Sequence, residues 1–120
     1  MADEPDRMVL HYRFEAGSGV CLWAGNDAAR ATFDYAVDHE QLPLSENARR
    51  FLDYLIAWFD TSLDWDDPTM PAAGWTAAMA TRFRAGGDEG LGMLLRELDA
   101  NRFSVIDRRD DSAAMPEARR

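Results

Sequence analysis

Residues 42–68 read LPLSENARRFLDYLIAWFDTSLDWDDP, and the fold turns on this stretch. Ser45 follows Leu44 and opens a periodic segment, as a helix N-cap does: its hydroxyl can accept from a free N–H of the first turn. Glu46 suits the positive end of the helix dipole. Ala48, Phe51, Leu52, Leu55, Ile56, Phe59 and Leu63 then recur at steps of three and four, on one side of a 3.6-residue helix. Arg49, Arg50, Asp53, Asp60 and Thr61 fall largely on the other sides. The pattern predicts a helix over 45–62. Leu44 would pack back on the first turn as a hydrophobic staple.

Tyr54 and Trp58 lie four apart beside that stripe. They either widen the buried face or form an exposed aromatic ridge, since Tyr and Trp are favoured interface anchors. After the helix come Asp60, Asp64, Trp65, Asp66, Asp67 and Pro68. One reading is a solvated turn in which the aspartates bond nearby N–H groups and Pro68 stops the helix. Another is an acidic docking surface for a basic partner. A cation site is the third, although the spacing is not that of a calcium loop and no glycine sits where that loop turns.

The rest of the chain is built around this helix. With 120 residues it fits one domain, and 47% hydrophobic content supports a core. Residues 1–7 read as a loose lead-in, 8–107 as a single domain and 108–120 as a disordered tail. From Met8 to Glu15 apolar and polar residues alternate, which marks a half-buried strand. Ala16 to Gly19 supply a turn, and Val20 to Trp23 a second strand, completing a hairpin. Asn26 or Asp27 can cap a short helix over 28–33. Residues 34–43 read as a connecting loop held to the core by Tyr35, Val37 and Leu42. Pro68, Pro71 and Gly74 then make a non-helical crossing.

Thr76 offers the next N-cap. Trp75, Met79, Phe83, Leu91, Leu94, Leu95 and Leu98 make an apolar stripe interrupted by glycines 86, 87, 90 and 92. Helices over 76–85 and 88–100 are expected, or one bent helix; close packing or a kink would account for the glycines. Asn101 would stop the helix and residues 103–106 form a strand. The expected architecture is α+β: a small antiparallel sheet, made from the N-terminal hairpin and the C-terminal strand, packed against two or three helices.

Charge and motif content narrow the function. The net charge of −9 argues against binding nucleic acid or anionic membranes, and no apolar run reaches membrane-span length. All 13 basic residues are arginine, so lysine chemistry is excluded. Cys21 is the only cysteine, and the start lacks a signal-peptide core, so a reducing, cytoplasmic setting is expected. His39 lies between Asp38 and Glu40 with no second His or Cys at a ligand spacing, which speaks against zinc. His11 reads as a surface residue. No nucleophile elbow, metalloprotease helix or dinucleotide fingerprint occurs. No catalytic residue, metal site or cofactor is assigned, and the chain is expected not to be an enzyme; a small carboxylate-dependent enzyme is the remotest reading.

Cys21-Leu22-Trp23, Asn26-Asp27-Ala28, Leu42-Pro43-Leu44-Ser45, Leu63-Asp64-Trp65-Asp66-Asp67-Pro68 and Trp75 together carry a resemblance. Over roughly residues 8–107 the chain resembles small acidic uncharacterised bacterial proteins that look like antitoxins or toxin-immunity proteins. The resemblance implies a binding role and no catalytic residue. The expectation is therefore a cytoplasmic immunity protein that covers the basic site of a cognate toxin. Asp60, Asp64, Trp65, Asp66 and Asp67 would be its contact loop, with Tyr54 and Trp58 beside it. The alternative is a structural or homo-oligomerising module in which Tyr54, Trp58 and the glycine-interrupted helix form a homodimer seam.

Overall fold

The computed structural model describes residues 7–15, 17–61, 63–64, 67–71 and 76–109; for 63–64 and 67–71 it describes the backbone path. The elements run β1 (Met8–Tyr12), β2 (Leu22–Ala24), α1 (Asp27–Phe33), β3 (Ala36–Val37), a 3-10 turn (His39–Gln41), α2 (Glu46–Asp60), β4 (Leu63–Asp64), β5 (Asp67–Pro71), α3 (Ala77–Glu97) and β6 (Phe103–Asp107). This is an α+β arrangement. Its main sheet has the order β3-β2-β1-β6, and β4 and β5 form a separate antiparallel pair.

The sheet is mixed, where an antiparallel one was expected. β1 pairs antiparallel with β2 (Leu10 opposite Ala24) but parallel with β6 (Met8 beside Phe103, Val105 beside Leu10). The chain must therefore cross the whole core before β6 can align with β1, and α2 and α3 lie on that path. The stretch read as a loop contains β3, which pairs with β2, and the 3-10 turn. Two residues of strand are too few to show a period, so nothing in the sequence announced them.

Alternation decides which way the sheet faces. Leu10, Tyr12, Leu22, Ala24, Val37 and Phe103 point inward and are buried. Against them α2 lays Ala48, Leu52, Leu55, Ile56 and Phe59, the stripe expected from its sequence less Phe51, which is half-buried, and Leu63, which falls beyond the helix in β4. Each fully buried leucine or phenylalanine there contributes about 1.5–3 kcal/mol. A Leu55→Ala change would cost about 2–5 kcal/mol because it also leaves a cavity. Ser45 caps α2 as expected, its hydroxyl accepting from Ala48 N at 3.1 Å. Asn26 and Thr76 do the same for α1 and α3, accepting from Ala29 N and Met79 N.

Residues 76–100 hold one uninterrupted helix rather than two, and it ends at Glu97, before Asn101. Its buried face is Ala80, Phe83, Gly87, Gly90 and Leu94. Gly87 and Gly90 thus belong to the stripe. A Cβ on Gly90 would stand 2.8 Å from the Tyr12 hydroxyl and 2.9 Å from Leu55 Cδ1, so the helix backbone rests directly on α2 and β1. Leu95, placed in the stripe from sequence, instead faces solvent; continuity of the helix through the glycines turns it away from the core.

The ordered chain also extends past the expected domain end. Arg108 N donates to Tyr12 O at 2.9 Å and prolongs the β6 ladder. Arg109 bonds Asp107 and Asp88, each at 2.7 Å through Nη2. Residues 110–120 and 1–6 lie outside the described residues.

Candidate functional site

Helix α2 carries two differentiated flanks on either side of its buried stripe. On the first, Phe51, Tyr54 and Trp58 stack in sequence, with ring centroids 6.1 Å and then 5.5 Å apart. The steps of three and four residues bring these rings to one edge of the helix. Their depths differ. Trp58 is half-buried and meets Phe83 of α3 edge to face at 5.4 Å and 90°, so it belongs partly to the core. Phe51 is half-buried too. Tyr54 is 55% exposed and forms the crest. Gly86 of α3 passes beneath: a Cβ there would lie 3.7 Å from Trp58 and 4.0 Å from Phe51. Trp58 widens the buried face, while Tyr54 is presented to solvent.

Of the acid-rich segment that follows, Asp60 is described. Its Oδ1 accepts from Gly17 N at 2.9 Å, which ties the end of α2 to the turn between β1 and β2. It thus serves the molecule's own packing in addition to any outward role. Trp65 and Asp66 lie outside the described residues, as do the side chains of Asp64 and Asp67. The backbone of the segment is a hairpin, with Asp64 of β4 opposite Asp67 of β5 and an irregular register beside it. A hairpin replaces the simple turn and crossing expected from the prolines.

The second flank of α2 faces the 3-10 turn. Asp38 caps that turn, its carboxylate accepting from Glu40 N at 2.9 Å. This presses His39 inward, where it is 2% exposed. Its Nε2 lies 2.8 Å from Asp53 Oδ1 on α2 and 3.9 Å from Glu40 Oε2. Arg49, one turn before Asp53, donates through Nη2 to Leu42 O at 3.0 Å and brings Nε to 4.0 Å from Glu40 Oε1. His39 Nδ1 and Arg49 Nε are buried without a hydrogen-bond partner. Sequence reasoning saw His39 between two acids but missed Asp53. The signal was there only in hindsight: Asp53 is an acid on the flank of α2 away from the aromatics.

The remaining chemistry-bearing groups are quiet. Cys21 is fully buried in the core, and burial pushes its thiol up, away from the thiolate form. Tyr12 is buried as well; burial raises its phenol, and the hydroxyl donates to Gly87 O at 2.8 Å. On the outer face of the sheet Trp23 is covered by Arg13, whose guanidinium stands 4.4 Å from the ring centroid, and by Tyr35 at 5.3 Å. Tyr35 was expected to anchor a loop to the core; it stacks on this outer face instead and stays half exposed. Among the described residues no helix is long and apolar enough to cross a membrane. No family model matches the chain, and no curated protein matches it.

Proposed function

We propose that this chain is a non-enzymatic binding protein that covers a basic surface on another protein, and that a toxin-immunity role is its specific form. The observation that carries the reading is the stack on α2: a half-exposed tyrosine, backed by two partly buried rings, on the helix that leads into the acid-rich hairpin. Rings held by their neighbours lose little freedom on docking, so Tyr54 is a pre-organised anchor. The charge of −9 would speed encounter with a cationic partner and set its orientation. Asp64, Trp65, Asp66 and Asp67 follow α2 in the sequence and would complete the contact.

The test is affinity for a captured cationic partner, measured across salt concentrations with Tyr54→Ala and with Asp64, Asp66 and Asp67 changed to Asn. A loss of at least tenfold for Tyr54→Ala and a flattened salt dependence for the triple variant are expected. Equal affinity and salt slope in all three proteins would overturn the reading. Should the chain alone sediment as a tight dimer that Tyr54→Ala dissociates, the ridge is a homodimer seam and the alternative role stands.

A further inference from the structure

We propose that His39, Glu40 and Asp53 form a binding site for one first-row divalent metal ion of the zinc type. The argument starts from burial. His39 is the one buried polar or charged residue among those described. A buried imidazole is normally matched by partners in the protein interior. Here every polar partner of the ring lies in the cluster itself, and Nδ1 has none. The ring is thus buried and aims a single nitrogen, Nε2, at two carboxylates that reach solvent.

The geometry of those three groups suits a cation. Their ligand atoms all lie within 4.8 Å of one another, with Nε2 at 2.8 Å from Asp53 and 3.9 Å from Glu40. Ligand atoms roughly 2.1 Å from a shared zinc ion stand about 3–4 Å apart, so Glu40 is already at range while Nε2 and Asp53, now hydrogen-bonded, must part by roughly half an ångström to admit the ion. Two carboxylates and a neutral imidazole balance a dication. The imidazole selects a first-row transition ion over calcium or magnesium, which prefer oxygen-only shells. Asp53 is 60% and Glu40 54% exposed at the side chain, so the ion could enter and keep water in its remaining positions. Arg49 stands on the far oxygen of Glu40, which turns the near oxygen toward His39.

Proton placement is consistent with this assignment. An ionised Asp53 can only accept, so a neutral ring bonded to it carries its proton on Nε2 and leaves the buried Nδ1 lone pair unmatched. With metal on Nε2 the ring's one proton sits on Nδ1, and a buried N–H is unmatched instead. Each state leaves one unmatched group at the same atom, so metal entry adds no new orphan.

The test uses the full chain stripped with a chelator and titrated with zinc chloride by calorimetry, then with cobalt chloride by visible absorption. One equivalent should bind, and Asp53→Asn and Glu40→Gln, both at exposed positions, should each weaken it at least tenfold while circular dichroism stays unchanged. Nitrogen NMR supplies a readout that needs no variant. The chain has two histidines, so His11 is an internal control. Zinc should move the Nε2 resonance of His39 and leave that of His11 in place. Binding that is equal in both variants, or a His39 Nε2 that stays protonated at saturating zinc, would overturn the proposal.

Discussion

The carboxylate of Glu97 clasps Ser45: Oε1 accepts the Ser45 backbone N–H at 2.7 Å and Oε2 accepts its hydroxyl at 2.9 Å. Glu97 is the last residue of α3, where a negative charge opposes the helix dipole. Ser45 is the N-cap of α2, where the same charge is favourable. The ion therefore serves the neighbouring helix at the expense of its own and fixes the two helix ends together.

Glu97→Ala should lower stability by about 1–2 kcal/mol, the value of two charge-assisted bonds less the relieved dipole clash. Ser45→Ala should cost about 1 kcal/mol through the lost cap. Urea denaturation of both single variants and the double variant should give a coupling of at least about 0.5 kcal/mol. Strict additivity would show that the clasp contributes nothing.

Gly90 and Gly92 sit two residues apart and should respond oppositely to alanine. At Gly90 the new methyl would meet Tyr12 Oη and Leu55 Cδ1 inside 3 Å, and overpacking should cost about 1–3 kcal/mol. At Gly92 it would meet only the mobile end of Arg96, at 3.2 Å. Helix propensity should then dominate and stabilise by up to about 1 kcal/mol. Thermal melts of the two variants on either side of the parent would bear this out.

Asp34 ends α1 at φ 76° and ψ −178°, a conformation nearly reserved for glycine. Its carboxylate accepts from Tyr35 N at 3.2 Å, a weak local bond. Asp34→Gly should raise stability by about 1 kcal/mol, since the relieved strain exceeds that bond, and Asp34→Val should lower it. A fall in midpoint for the glycine variant would mean the aspartate is held there by more than geometry.

The Arg109 guanidinium hydrogen-bonds Asp107 and holds its carboxyl below the ordinary range. A depressed carboxylate adds stability above its unfolded value, about pH 3.9, and that contribution vanishes as pH falls through the folded value. Asp107→Asn should therefore shrink the loss of stability between roughly pH 4 and pH 2. The Asp107 side chain is partly exposed, and salt should weaken the effect. Denaturation midpoints across that window, at low and high salt, provide the check.

Local rules read much of this fold. Ser45, Asn26 and Thr76 announced their helices, and the stripe from Ala48 to Phe59 named the face of α2 that is buried. Strand direction was another matter. Residues 103–106 look the same whether they run with or against Met8–Tyr12, and only the path of two helices between them decides it. The glycines of α3 read as interruptions because hydrophobicity scales see no side chain there; the role of Gly90 is the close approach of Tyr12 and Leu55. The His39–Asp53 contact escaped for a related reason. It joins a turn to the middle of a helix, and no spacing rule spans that gap. The Tyr54–Trp58 ridge was legible because its neighbours are local; the split between a crest and a buried ring depended on Phe83, which is not.

The parallel seam between β1 and β6 has a consequence for how the molecule is made. Strand β1 waits for β6: residues 13–102 must all leave the ribosome before β1 gains its second neighbour. Closing so large a loop is entropically expensive at the outset, which slows folding. Until then Met8–Tyr12 has a raw edge, open to pairing with the wrong strand.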